Sequence, residues 1–172
     1  MGANTKEIIR SEFEEVRSEF HDLAASITKE DLDRKSKNPG WTNGEILFHM
    51  LLGFIVIDML FPMVKIFGRL PTSCSRAFAG VLNFSTPIFN ASNAFGARVG
   101  GRVFSKRSLE KKFDTVISKL LKKLDGVKMN EWEQGMYYPD RWDGLFDEYM
   151  TVEKLFYYPI KHFKFHLKQL TR

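Results

Sequence analysis

The 172-residue chain predicts an all-α protein, and three observations carry that reading. Apolar residues recur every three to four positions in four separate segments, a capping-box pattern opens the second of them, and no stretch is rich in strand signals. Hydrophobic residues make up 44% of the chain, which suits a packed core and excludes a disordered polymer. The length suits one domain over residues 1–172.

Residues 5–27 read as the first helix, with Ile9, Phe13, Val16, Phe20, Leu23 and Ile27 on one side. Glu12, Glu15, Arg17 and Glu19 take the other side, and His21 falls off the stripe's centre as a surface residue. A polar hinge over 29–40 ends in Asn38-Pro39-Gly40, a strong turn signal. Thr42 with Glu45 three residues on is the pattern of a capping box, opening a second helix over 42–67. This helix is apolar nearly all round (Ile46, Leu47, Phe48, Met50, Leu51, Phe54, Ile57). His49, Asp58 and Lys65 interrupt it, and Pro62 is expected to kink it. Charge is costly at the centre of a membrane span, so a buried core helix is expected instead.

Residues 68–105 change character, being rich in Gly, Ala, Ser, Asn and Phe, with Arg98 and Arg102 late in the segment and no Asp or Glu. Pro71 and Pro87 divide the stretch, and Gly96 and Gly100-Gly101 are expected to loosen its end. The reading is a long crossover with short helices over 75–82 and 86–97. Such a segment suits an extra packed layer, a lid over an apolar pocket, an oligomer contact or a surface touching lipid. Residues 107–124 form the third helix, with Leu109, Phe113, Val116, Leu120 and Leu124 inward. Its lysine-rich outer face lacks the interleaved aromatics of a nucleic-acid footprint and reads as solvated. Residues 125–150 are irregular and aromatic, expected to pack over the end of the helices with one tyrosine at the pocket. Thr151 caps the last helix, and Pro159 is expected to kink it one turn before His162.

That last helix carries His162 and His166, four residues apart and therefore facing the same way. They flank a stripe of Phe156, Ile160, Phe163, Leu167 and Leu170, where a side chain faces the groove beside a neighbouring helix. Such a pair is half of a metal site and also a common way to border a core. Phe163 occupies the place where a helical zinc protease carries its glutamate, which excludes that activity. His49, inside an apolar helix, needs a partner: a backbone carbonyl, a carboxylate or a metal. Glu45, one turn earlier, is either the helix-start carboxylate or a group that orients His49, ligates or acts as a base.

The single Cys74 rules out an intramolecular disulfide and a multi-cysteine zinc site. The net charge of +5 is mild and selects no partner class. The opening residues lack a signal peptide's apolar core, and Lys6 makes Gly2 a poor myristoylation match, so a cytoplasmic location is expected. Phosphate-loop and dinucleotide fingerprints are missing, which leaves ATP- and NAD-dependent readings without support.

Asn38-Pro-Gly-Trp-Thr-Asn-Gly-Glu-Ile-Leu-Phe-His49, the long middle connection, and His162-x-x-x-His166 followed by Gln169-Leu170 occur in this order. Together they resemble the DinB/YfiT-like family of metal-dependent enzymes. The resemblance covers about the first 60 residues and the last 30 well, and it leaves 68–105 as an insertion. It implies an up-down-type four-helix bundle with a helical insertion between the second and third helices. It also implies a divalent metal, nickel or zinc, on His49, His162 and His166. Three neutral imidazoles leave coordination positions open, as catalytic sites do. The family includes thiol-dependent S-transferases, an isomerase and hydrolases. The expectation is therefore a metal-dependent hydrolase or thiol S-transferase that activates water or a low-molecular-weight thiol against a small electrophilic substrate, with Glu45 or a tyrosine as base. The other reading is a non-catalytic small-molecule-binding or dimerising bundle with a vestigial metal site, suggested by the charge-poor insert and the missing base. A homodimer is an expected partner; nucleic acid and stable membrane insertion are not.

Overall fold

The computed structural model describes residues 2–171, with side chains from Asn4 to Thr171. Met1, and with it the reading of the extreme amino terminus, lies outside the described residues, as does Arg172. Among the described residues seven α-helices follow one another as α1 (Gly2–Ser26), α2 (Lys29–Asp33), α3 (Asn43–Phe67), α4 (Thr72–Phe84), α5 (Thr86–Val103), α6 (Lys106–Asp125) and α7 (Val152–Leu167). Between α6 and α7 lie a 3-10 turn, Met129–Glu131, and two short antiparallel strands, β1 (Gly135–Tyr137) and β2 (Tyr149–Thr151). The all-α expectation holds.

The apolar stripes became the core. Ile9, Phe13, Val16 and Phe20 of α1 are fully buried, as are Phe113, Leu120 and Leu124 of α6 and Phe156 and Phe163 of α7. The apolar α3 is the central helix, with fourteen of its 25 residues buried. Length and composition alone would let it cross a membrane, but α7, α6 and α5 pack around it, while α1 lies on α6 and α7. Rings from α1, α3, α6 and α7 meet in one chain of contacts: Phe13–Phe54 at 5.9 Å, Phe54–Phe113 at 5.0 Å and Phe113–Phe163 at 6.1 Å between centroids. Edge and tilted ring pairs like these add about 0.5–1.5 kcal/mol each beyond area burial.

Five local readings need correction. The hinge contains α2, because Thr28 and Asp31 close a capping box in which Thr28 Oγ1 accepts from the Asp31 N–H and the Asp31 carboxylate accepts from the Thr28 N–H. The crossover helices are longer than 75–82 and 86–97: α4 fills Thr72–Phe84, and α5 runs on to Val103. The late glycines do not loosen α5; they let it press on α3. A Cβ at Gly100 would fall 2.3 Å from the Phe48 ring, and one at Gly101 would fall 2.8 Å from the Glu45 nitrogen. The connection over 125–150 is partly ordered as the β1–β2 pair, in register Gly135 to Thr151 and Tyr137 to Tyr149. Finally, α7 stops at Leu167 instead of reaching Leu170. There the Lys37 N–H donates to the Gln169 carbonyl, and the Asn43 amide bonds both the N–H and the carbonyl of Thr171. These bonds draw the chain out of the helix and along the start of α3.

Candidate metal centre

Two caps set the registers that meet at the site. Thr42 Oγ1 accepts from the Glu45 N–H and the Glu45 carboxylate accepts from the Thr42 N–H, starting α3 so that His49 lies two turns in. Thr151 Oγ1 accepts from the Lys154 N–H and starts α7. Across the α3–α7 seam, His49 meets His162 and His166, which are 9%, 1% and 7% exposed. The Nε2 atoms of His49 and His162 are 3.1 Å apart. One ring nitrogen from each of the three residues lies within 4.8 Å of the others.

Gly53, one turn after His49, makes this approach sterically feasible. A Cβ there would lie 2.5 Å from His162 Nδ1 and 2.9 Å from its Cε1. The α3 backbone thus supplies the notch that holds the His162 ring. Trp41 closes another side, its ring edge-on to His49 at 5.0 Å.

Burial keeps the imidazoles neutral. It pulls the His49 pKa down to about 3, with the nearby His166 adding to the fall and Asn93 opposing it. Burial also holds His162 well below its ordinary value, helped by His49 and His166. His166 is lowered by burial too, opposed by Gln169 and Asp143. Neutral imidazoles keep a lone pair, which is the protonation state a metal ligand requires.

The donor set fits a divalent cation. His49 Nδ1 and His162 Nδ1 are buried without a hydrogen-bond partner among the described residues, although buried polar atoms are nearly always paired. His166 Nδ1 donates to Gln169 Oε1 at 2.8 Å, which leaves the lone pair on Nε2. Tetrahedral bonds of about 2.0–2.1 Å would hold ligand nitrogens roughly 3.3 Å apart, close to the observed His49–His162 spacing.

The remaining neighbours include groups that local sequence patterns did not reveal. Asp143, in the connection between β1 and β2, places Oδ2 3.9 Å from His162 Nε2. The same oxygen accepts from the Tyr158 hydroxyl at 2.6 Å, while Oδ1 accepts from the Leu145 N–H. Burial and the adjacent Asp143 push the Tyr158 pKa far up, so its phenol stays protonated and donating. Phe89 of α5 stacks on Trp142 at 4.0 Å and 9°. Together with Asn93, Phe146, Tyr158, His49 and His162, that stack lines a partly open space of about 30 Å³, enough for a water or two. Tyr158 reaches it from α7, whereas Trp142 and Asp143 represent the 125–150 connection there. Asp143 carried no local signal, since its significance depends on a partner in another element. A larger hollow of about 360 Å³, lined by Leu23, Ile27, Asp31 and Leu167 among others, contains none of the three histidines.

Glu45 is buried and occupied with the Thr42 cap. His21 lies outside the centre, bracketed by Glu110 and Asp114 at 3.1 and 2.9 Å.

The sequence model of the DinB superfamily matches residues 12–170. The chain matches no curated protein and no solved structure.

Proposed function

Because the chain belongs to the DinB superfamily, we propose that it is a metal-dependent enzyme acting on a small electrophilic substrate, of hydrolase or thiol S-transferase type. In this reading α1, α3, α6 and α7 form an up-down four-helix bundle, and α4–α5 are the insertion between its second and third members. The carrying observation is the convergence of three buried, neutral imidazoles, with ring nitrogens within 4.8 Å of one another.

His49, His162 and His166 would hold the ion, nickel or zinc by donor type. When bound, a divalent cation supplies Lewis acidity, polarising an electrophile and making water or a low-molecular-weight thiol a better nucleophile near neutral pH. The protein's own groups do the rest. Gln169 fixes the His166 tautomer, and Gly53 admits the His162 ring. Asp143, whose carboxylate lies 3.9 Å from His162, would take a proton from an incoming water or thiol. The Tyr158 hydroxyl holds that carboxylate in position. Glu45, used by the cap, serves by setting the register of His49. Phe89 and Trp142 exclude bulk water from the site.

The test is metal analysis of protein purified without chelators or a metal-affinity tag, followed by a screen of small electrophiles with and without thiols. Stoichiometric nickel or zinc, lost in His166→Ala, and a turnover that chelation abolishes and Asp143→Asn lowers are expected. Full metal content in His166→Ala would remove the ligand assignment.

One observation favours the non-catalytic reading: the space beside the histidines holds only about 30 Å³. A substrate therefore needs α5 or the Trp142 segment to move. If ligand binding persists unchanged after the metal is stripped, the vestigial-site reading stands instead.

A further inference from the structure

Helix α5 has two unlike faces. The inner one places Phe89 and Asn93 beside the histidine site and seats Ala97 and Gly100 in the interior. At 100° per residue, Ile88, Phe95, Val99 and Val103 share the opposite face, and they are 71%, 68%, 42% and 69% exposed. Phe84, just before the turn into α5, is 90% exposed. An apolar stripe turned outward in this way contributes nothing to the core and marks a contact surface. Arg98 and Arg102 stand one turn apart on its flank. Neither makes an ion pair among the described residues, where the paired arginines are Arg10, Arg17, Arg34, Arg69 and Arg76. Between residues 68 and 105 there is no carboxylate at all.

We propose that the outer face of α5 docks the protein on an anionic lipid surface. Charge decides between this occupant and a second copy of the chain. Two copies joined stripe to stripe would bring Arg98 and Arg102 against their counterparts with no acidic residue in the segment to compensate. An anionic bilayer offers both required complements, an acyl boundary for the aliphatic and Phe side chains and phosphate or carboxylate for the guanidinium groups. With 18 residues and two arginines on its flank, α5 suits lying in the interface plane, its apolar face entering about 5–10 Å. This placement sets the helix that roofs the histidine site against the membrane. It does not depend on any metal being bound.

The test sediments the full chain with vesicles of phosphatidylcholine alone, or with about a third phosphatidylserine, at about 0.05 M and about 0.5 M salt. Binding is expected to the anionic vesicles only and to fade at the higher salt. Arg98→Gln/Arg102→Gln should lower the partition coefficient roughly 30-fold. Ile88→Ser/Phe95→Ser should lower it at least about tenfold. Circular dichroism checks that both variants keep the helical fold. If the apolar variant fails that check, lipid and salt dependence and the arginine variant still decide. The idea is overturned by no sedimentation with anionic vesicles, by equal sedimentation with both compositions, or by full binding of the arginine variant. A concentration-dependent dimer that Phe95→Ser disperses, in protein that ignores vesicles, would show that a second copy occupies the face.

Discussion

The Nε2 atoms of His49 and His162 face each other at 3.1 Å across the seam of α3 and α7, although 113 positions separate them in the chain. Two neutral imidazoles can share one proton at that distance, but here each also leaves its Nδ1 buried and unpaired. An orphaned buried donor or acceptor costs about 1–3 kcal/mol. A cation held on the facing Nε2 atoms leaves those Nδ1 groups as they are, so what it adds to stability is its own binding free energy to the folded state. Nickel or zinc at about a hundred times its dissociation constant should therefore raise unfolding stability by about 2.7 kcal/mol. His49→Ala and His166→Ala should lose the increment, read as the shift in thermal midpoint on adding metal. An equal shift in all three proteins would place the ion elsewhere.

Gly53→Ala separates helix propensity from site geometry. Alanine is the better helix former by about 1 kcal/mol. Against that, its Cβ would lie 2.5 Å from His162 Nδ1, and overpacking of this kind costs about 1–3 kcal/mol. Steric conflict should win because the ring is boxed in by His49 and Tyr158. The expected result is a lower urea midpoint together with weaker metal binding by titration calorimetry. Stability equal to wild type with unchanged affinity would mean that the notch is not needed.

How far the sequence revealed the fold follows from the range over which each signal acts. The stripes of α1 and α6 and the caps at Thr42 and Thr151 rest on residues three or four apart, and each appears in the structure. The Thr28–Asp31 capping box is just as local and could have placed α2 from sequence. His162 and His166 declared themselves by helical spacing, whereas His49 gained its meaning from family resemblance. Gly53, Asp143 and Asn93 gave no local sign, because each acts on a residue in another element. The strands β1 and β2, three residues each, are too short to show alternation.

Tyr158→Phe removes one oxygen from a 95%-buried side chain and leaves Asp143 without the phenol that donates to it. Asp143 is 24% exposed, so water can replace part of what is lost, and the expected cost is about 1–2 kcal/mol. Metal content should not change, since Tyr158 is not among the three donors. Denaturant titration and metal analysis on one preparation check both halves. Loss of metal together with stability would make the phenol part of the ion's support.

The surface His21 gives stability a pH dependence of its own. Asp114 and Glu110 raise its pKa above the ordinary 6.5. The protonated form is thus favoured by folding: its contribution is complete below the unfolded pKa and is lost as pH rises through the higher folded value. The ring is 39% exposed, so screening limits the effect to at most about 1 kcal/mol. Wild type should exceed His21→Gln in urea midpoint at pH 5, and the gap should close toward pH 9 and shrink in high salt. A gap that widened with pH would reverse the assignment of charge to this cluster.

Trp142→Ala should loosen the roof without touching the core. The indole stacks on Phe89 at 4.0 Å, and its Nε1–H donates to the Leu82 carbonyl at 2.9 Å, tying both α4 and α5 to the connection before α7. Neither contact involves the ring chain that joins α1, α3, α6 and α7. Removing them lowers the free energy of local opening in α4–α5 and leaves global unfolding closer to its original value. Amide hydrogen exchange should therefore accelerate in residues 86–103, by tenfold or more if about 1.4 kcal/mol of local stability is lost, while amides of α6 keep their rates. Because the Phe89–Trp142 stack closes the small space beside His49 and His162, the same variant should bind metal faster. Uniform acceleration across every helix would instead make Trp142 a core residue and leave the histidine site without a separable roof.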